Sequence, residues 1–484
     1  MKYLAQAAQV CTESLVQDLP STSILENAEF SYFHVASLVI FFLAICHTFF
    51  ANRFTQIARS IELAHHHKRR RNRTVPIDSE IFDGGGMKDK SFAAEIFYFL
   101  GEVEVVFGIW VIPLFIAMVS FYNWRIAIAY IDNRTYIEPI FVVIVMCLTA
   151  TRPLVKIAET SMRKVARAMG GSVSAWWFSI LTIGPLLGSF ITEAGAMTLA
   201  AILLGRQVYQ YKPNTKLAYI TLGLLFVNVS VGGVLTNFAA PPVLIVARCW
   251  DWSSIYMFMY FGWKALTGIL LANGLLWFVF RKEFKRMQNV KKDMKDHGKA
   301  QADVEPVPVW ITLTHIVLLV WIVINSHYPA VFIGSFLLFL GFHHATAPHQ
   351  FVLSLKRPIL VGFFLAGLVI HGGLQGWWIE PLLGRFQEAG LMIAGTILTA
   401  FNDNAAVTYL ASLLPELGTP LKHAIMSGVL VGGGLTVIAN APNPAGQMLL
   451  RKYFSGGISP LYLFLAAFTP TLIQFVLFFF GMYA

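Results

Sequence analysis

Apolar runs near the twenty or so residues needed to cross a bilayer recur along the whole 484-residue chain, separated by short polar stretches rich in Lys and Arg. The pattern predicts spans at 32–50, 92–120 and 137–150, the last followed by a basic loop. A run over 172–204 then holds Thr192-Glu193 in its middle and has basic residues on both flanks. By the positive-inside rule both of its ends face the cytoplasm, so it reads as a re-entrant hairpin or helix pair with Glu193 near the turn. The next crossing, 217–247, is interrupted at Gly232-Gly233 and reads as two half-helices, and a long span over 255–280 returns to the inside. The stretch 281–308 shows no apolar periodicity and ends in Glu305-Pro306-Val307-Pro308, as a linker does. Beyond it the plan repeats: spans at 309–324, 329–342 and 358–378, an apolar run over 391–414 containing Asn402-Asp403-Asn404, a broken crossing at 423–450, and a last span at 460–480.

This predicts an all-α polytopic membrane protein of about ten spans plus two hairpins. Its divisions are an N-terminal tail (1–30), a first transmembrane repeat (31–280), a cytoplasmic linker (281–308) and a second transmembrane repeat (309–484). Each half makes an odd number of crossings, so the two repeats have inverted topology, each with a re-entrant hairpin and a broken helix. Both termini are expected outside a plasma (inner) membrane.

Composition agrees, with 56% hydrophobic and 13% charged residues against roughly a quarter charged in soluble domains. The formal charge of +10 sits in the loops, where it sets orientation and meets anionic membrane lipids, so nucleic acid is not a partner. The run His65-His66-His67-Lys68-Arg69-Arg70-Arg71 reads as a solvated loop rather than a metal site. Cys11, Cys46, Cys147 and Cys249 have no paired or metal-like spacing. No cofactor is called for. The first thirty residues lack a basic n-region, so the first span is retained rather than cleaved as a signal peptide.

The two halves share more than hydropathy. Glu193 aligns with Asp403 at an offset of 210, which also matches Ala196 to Ala406 and Thr198 to Thr408. Downstream an offset of 200 matches Gly232, Gly233, Leu235, Thr236 and Pro242 to Gly432, Gly433, Leu435, Thr436 and Pro442. Inverted repeats with broken helices are the recurring plan of secondary transporters. Unwound backbone at membrane depth is tolerated only where protein or a water-filled cavity satisfies it, and its unpaired groups are ready ion ligands. Glu193 and Asp403 are the leading candidates, because an intramembrane carboxylate is expensive; the plainer reading of either is a helix cap. Around them lie Thr192, Thr198, Thr236, Asn237, Asn402, Asn404, Thr408, Thr436, Asn440 and Asn443, hard oxygen ligands suited to Na⁺ or Li⁺. A carboxylate in a low-dielectric cavity can hold either a proton or a cation, and that competition is enough for antiport. Accessory candidates are Glu102, Glu104, Lys264 and His371, each with an ordinary alternative: an interfacial position for the acids, snorkelling for Lys264 and a hydrogen-bonded interior histidine for His371.

The stretches Thr192-Glu193-Ala194-Gly195-Ala196-Met197-Thr198, Gly233-Val234-Leu235-Thr236-Asn237-Phe238-Ala239-Ala240-Pro241-Pro242, Asn402-Asp403-Asn404-Ala405-Ala406-Val407-Thr408 and Ala439-Asn440-Ala441-Pro442-Asn443-Pro444 resemble those of a Na⁺/H⁺ antiporter family. That family belongs with the ion-transporter superfamily of arsenite pumps and dicarboxylate and citrate carriers. The resemblance implies inverted repeats with a substrate site between hairpins and broken helices. The carboxylate carriers have Ser-Asn-Thr at their hairpin turns. Thr-Glu-Ala and Asn-Asp-Asn here add negative charge, which disfavours an anionic substrate. The leading expectation is a Na⁺ (or Li⁺)/H⁺ antiporter and not an enzyme, with a homodimer left open. The alternatives are a transporter of the same fold for an organic anion coupled to Na⁺ or H⁺, and an intramembrane enzyme using Glu193 and Asp403 as a dyad.

Overall fold

A computed structural model describes residues 32–72, 91–102, 105–247, 249–295, 307–375, 377–378, 386–413, 417–454 and 457–482. These residues are almost wholly helical. The first part comprises α1 (Tyr32–Asn72), α2 (Phe92–Leu100), α3 (Val106–Phe121), α4 (Trp124–Asp132), α5 (Ile137–Thr149), α6 (Arg152–Ala168), α7 (Val173–Ile191), α8 (Glu193–Gln207), α9 (Thr215–Gly232), α10 (Pro241–Ala247), α11 (Ser254–Val279) and α12 (Arg281–Lys295). The second comprises α13 (Val309–Ile324), α14 (Pro329–Ala345), α15 (Lys356–Gly372), α16 (Glu388–Phe401), α17 (Asn404–Ser412), α18 (Thr419–Gly432), α19 (Asn443–Leu450) and α20 (Pro460–Phe480). Among the described residues four helices are long and apolar enough to cross a membrane, or six if each of two bent pairs is one span. The bends are 57° within α1 and 67° between α5 and α6.

Burial separates the frame from the centre. The span made of α9 and the 3₁₀ turn after it is 94% buried, against 39% for α20. Side chains such as Leu271, Leu275, Trp310, Val317, Trp321, Leu337, Leu465 and Leu472 are exposed, an apolar belt far larger than a soluble surface carries and suited to lipid.

Helices α7 and α8 fold back on each other. A side chain at Gly184 would touch Ala200, and one at Gly188 would touch Ala196. These pairs converge on Thr192, so the two helices form an antiparallel hairpin. The breaks after α9 and α18 cross at the centre, where the Ser230 hydroxyl donates to the Leu430 carbonyl at 2.8 Å and Gly434 lies against the Val227 backbone.

Five expectations change. The run from His65 to Arg71 is the end of helix α1 and not a loop. The 92–120 span is interrupted at Gly101-Glu102, where the Gly101 N–H closes α2 on the Phe97 carbonyl and Glu102 turns out to meet Lys356. The basic loop after 150 is α6, an amphipathic helix that buries Leu154, Ala158, Met162 and Ala166 beneath its charges. The linker likewise begins as a helix, α12, with Phe284 and Met287 buried; two apolar side chains in a charged stretch are too few to show a period. Cys249 is disulfide-bonded, a pairing that spacing did not reveal.

Candidate functional site

The tip of the first hairpin is Thr192. Its φ of 64° and ψ of 154° lie in a region that costs a non-glycine residue about 1–3 kcal/mol. Its hydroxyl accepts from the Gly195 N–H at 3.4 Å, which makes it the N-cap of α8. The sharp turn brings Glu193, 1% exposed, against the first break, where a side chain at Gly233 would come within 2.9 Å of the Glu193 carboxyl oxygen. Only glycine leaves that carboxyl its place.

The Glu193 carboxylate is held from one side. Asn440, in the second break, donates to its Oε2 at 2.7 Å, while Oε1 is buried with no hydrogen-bond partner. Asn404 Oδ1 and Nδ2, Asn440 Oδ1 and Asn443 Oδ1 are buried and unpartnered in the same way. Asn443 nevertheless organises the break, donating to the carbonyls of Gly433 (2.9 Å) and Thr436 (2.8 Å). Asn404 is tied in through its backbone N–H to the Ala439 carbonyl at 3.0 Å. Unmet oxygens in protein interiors are rare. Several lie where the two hairpin tips meet the second break, beside one carboxylate that is already half-satisfied, and they are candidate hard-oxygen ligands.

Matched contacts recur in the two halves. The Thr236 hydroxyl donates to the Ser189 carbonyl at 2.6 Å and the Thr436 hydroxyl to the Ala400 carbonyl at 2.7 Å. Gly232 abuts Pro185 as Gly432 abuts Thr396, and Gly233 abuts Glu193 as Gly433 abuts Asn404. Each hairpin residue is matched to the one 211 places on. The alignment at 210 is therefore one residue short at the tip: Glu193 corresponds in space to Asn404, and Thr192 to Asp403. Asp403 occupies the cap position, its Oδ1 accepting from the Ala405 N–H at 2.9 Å. Even so, it is 5% exposed.

A family model described as "Putative Na+/H+ antiporter" matches residues 32–481. The chain belongs to that family. No curated protein matches it. Membership makes the chain a transporter of the antiporter class by description, and the several long apolar helices make it a multi-pass membrane protein.

The fold of this antiporter-family chain sorts the remaining candidates. Asn237 is turned away from the carboxylates, donating to the Trp252 carbonyl at 2.9 Å and accepting from the Ser254 hydroxyl at 2.8 Å. The Thr408 hydroxyl is spent on the Asn404 carbonyl at 2.8 Å, and Asn402 Oδ1 accepts from the Asp403 N–H at 2.9 Å. Thr198 is half-buried on α8, about one and a half turns beyond Glu193. Lys264 is buried beside Gly481 at the end of α20, with Phe261 and Trp263 around it. His371 sits between the rings of Phe41 and Phe107. Glu102 forms an ion pair with Lys356 at 2.9 Å. Glu104 lies outside the described residues.

Sequence reasoning passed over Ser189, whose hydroxyl donates to the Gly232 carbonyl (2.8 Å) and accepts from the Leu235 N–H (2.9 Å). It also passed over the network in which Asn228 donates to Asn273 (3.0 Å) and Asn273 to Thr182 (2.9 Å). Single polar residues within apolar runs carry no spacing that would mark them. The halves also differ: the position matched to Ser189 is Ala400, which has no hydroxyl, and the neighbouring Thr399 Oγ1 is buried without a partner, so the second break lacks the two bonds that the Ser189 hydroxyl gives the first. Beside it, between α16 and α20, lies an apolar cavity of about 320 Å³ lined by Ile397, Phe401, Leu435 and Phe468 among others.

Proposed function

We propose that the chain exchanges Na⁺ or Li⁺ for H⁺ at one site centred on Glu193. The observation that carries this reading is the Glu193 carboxylate itself, buried, bonded to Asn440 through one oxygen and presenting the other unpartnered among asparagine oxygens. With the proton on Glu193 the site is neutral and holds no cation; without it, the carboxylate and the oxygens of Asn404, Asn440 and Asn443 supply hard ligands for a small cation. One group that takes either partner, but not both, couples the two fluxes. Asp403 acts on this site through its charge and by capping α17, and Thr436 and Asn443 hold the broken helix in shape.

The fold that serves this is read as two inverted repeats, about ten spans and two hairpins, with 281–308 in the cytoplasm and both termini outside. Two features support it. Matched contacts recur at a common spacing in the two halves. In addition, Ser230 bonds Leu430, its own counterpart at the offset of 200, as happens where equivalent segments meet on a two-fold axis. The hairpin–break crossing then lies near mid-membrane, where such transporters hold their ions.

The test is transport in proteoliposomes of the purified protein. An imposed Na⁺ gradient should drive counter-movement of protons, and Glu193→Gln should abolish it. Asp403→Asn, which keeps a capping side chain, should retain part of it. A wild-type protein that moves no protons in response to Na⁺ or Li⁺, or a Glu193→Gln protein that transports normally, would sink the proposal.

A further inference from the structure

Helix α12 grips both open ends of the first hairpin. Before α7, the Val173 N–H donates to Gln288 Oε1 at 3.0 Å and Lys291 Nζ donates to the Gly171 carbonyl at 3.1 Å. After α8, the Asn214 N–H donates to Glu283 Oε1 at 2.8 Å and Arg286 donates to the Lys212 carbonyl at 2.6 Å. The turns it holds cannot be ordinary backbone: Gly170, Gly171 and Lys212 all have positive φ. Beneath these bonds Phe284 and Met287 are buried, with the Phe284 ring 5.2 Å from that of Trp177. One short helix thus fixes the chain entering the hairpin and the chain leaving it.

Its other face is basic and unspent. Lys282, Lys285 and Lys292 are exposed and none has an ion-pair partner among the described residues, whereas Glu283, the acid on this helix with a described partner, is paired with Arg286 at 2.6 Å. Exposed Lys212 and Lys216 adjoin on the loop that α12 grips. The helix starts at Arg281, with Phe280 alone between it and Val279, the end of the membrane-length span α11. An amphipathic helix at that level, apolar toward the protein and cationic outward, complements the anionic headgroups of the adjoining leaflet.

We propose that α12 is an interfacial clamp whose Lys282, Lys285 and Lys292 engage anionic phospholipid headgroups, and that this engagement tightens its hold on the first hairpin. Headgroup charge neutralises the mutual repulsion of the lysines and seats the helix, so the four bonds to 171–173 and 212–214 open less often. The inference stands apart from the identity of the transported ion.

Hydrogen exchange on the full chain in lipid nanodiscs tests it without recourse to transport. In discs of phosphatidylcholine with about one-third phosphatidylglycerol, the amides of Val173 and Asn214 should exchange at least threefold more slowly than in phosphatidylcholine alone. The triple variant Lys282→Gln/Lys285→Gln/Lys292→Gln should lose that difference while exchange in α9, buried at the centre, stays unchanged as evidence of folding. Gln288→Ala should speed exchange at Val173 in both lipids. Protection at Val173 and Asn214 that ignores lipid charge, or a lipid effect that survives in the triple variant, would overturn the proposal. So would equal protection from 10 mM inorganic phosphate in phosphatidylcholine discs, which would make the anion soluble rather than lipid.

Discussion

Asn440 donates to Glu193 at 2.7 Å across 247 residues of chain. The bond joins the second break to the first hairpin, so neither half of the protein completes the site alone. A hydrogen bond to a charged group is worth about 1.5–3 kcal/mol. Asn440→Ala should therefore raise the Na⁺ concentration for half-maximal exchange by about tenfold or more, from that same range. Asn440→Gln, whose amide is displaced by one methylene, should recover little. Initial rates against Na⁺ concentration in proteoliposomes measure both.

Gly233 leaves room for the carboxylate. A Cβ there would stand 2.9 Å from both the Glu193 carboxyl oxygen and its Cγ, closer than real contacts allow. Gly233→Ala should cut exchange by at least tenfold while expression and size-exclusion behaviour stay normal, because Glu193 can swing aside without unfolding its helix. Gly274→Ala on α11, where a Cβ meets nothing within 4 Å, should transport like the parent.

The two breaks should respond differently to loss of their hydroxyls. Ser189→Ala strips partners from the Gly232 carbonyl and the Leu235 N–H, and each buried polar group so orphaned costs about 1–3 kcal/mol. Thr399→Val removes a hydroxyl that has no partner and should leave stability unchanged or slightly higher. Thermal unfolding in detergent, read by intrinsic Trp fluorescence, compares them; equal losses would contradict the asymmetry.

The clamp at the membrane surface carries its own pH dependence. The Arg286 guanidinium, bonded to Glu283, holds that carboxyl below its ordinary range, aided by the Asn214 N–H. A carboxyl depressed in the folded state stabilises above its unfolded value and loses that contribution as pH falls through the folded one. Protection of the Asn214 amide, corrected for intrinsic exchange, should be flat from pH 8 to about 5 and fall only below the usual glutamate value of about 4.3. In Glu283→Gln the acid-dependent fall should vanish.

Chain order and hydropathy alone gave the helical membrane class, the hairpin turn at Thr192-Glu193 and the two glycine breaks, because these depend on local composition: twenty apolar residues, a polar interruption, a glycine pair. They also marked Glu193 and Asp403 as intramembrane carboxylates too costly to be incidental, with Asn440 and Asn443 among the candidate oxygen ligands around them. Tertiary structure decided what local pattern could not. Register at a helix turn is set by which residue caps and which packs, so Glu193 is matched to Asn404 and Asp403 becomes a cap, although identity of charge aligned the two acids. Asn237 and Thr408 have the right chemistry but spend it on neighbouring backbone and side chains, which spacing does not reveal. Glu102 is a charged residue whose partner, Lys356, lies far along the chain. The bond from Asn440 to Glu193 is the extreme of the same rule: a contact between distant segments follows from how the two halves pack, and no periodicity within either half records it.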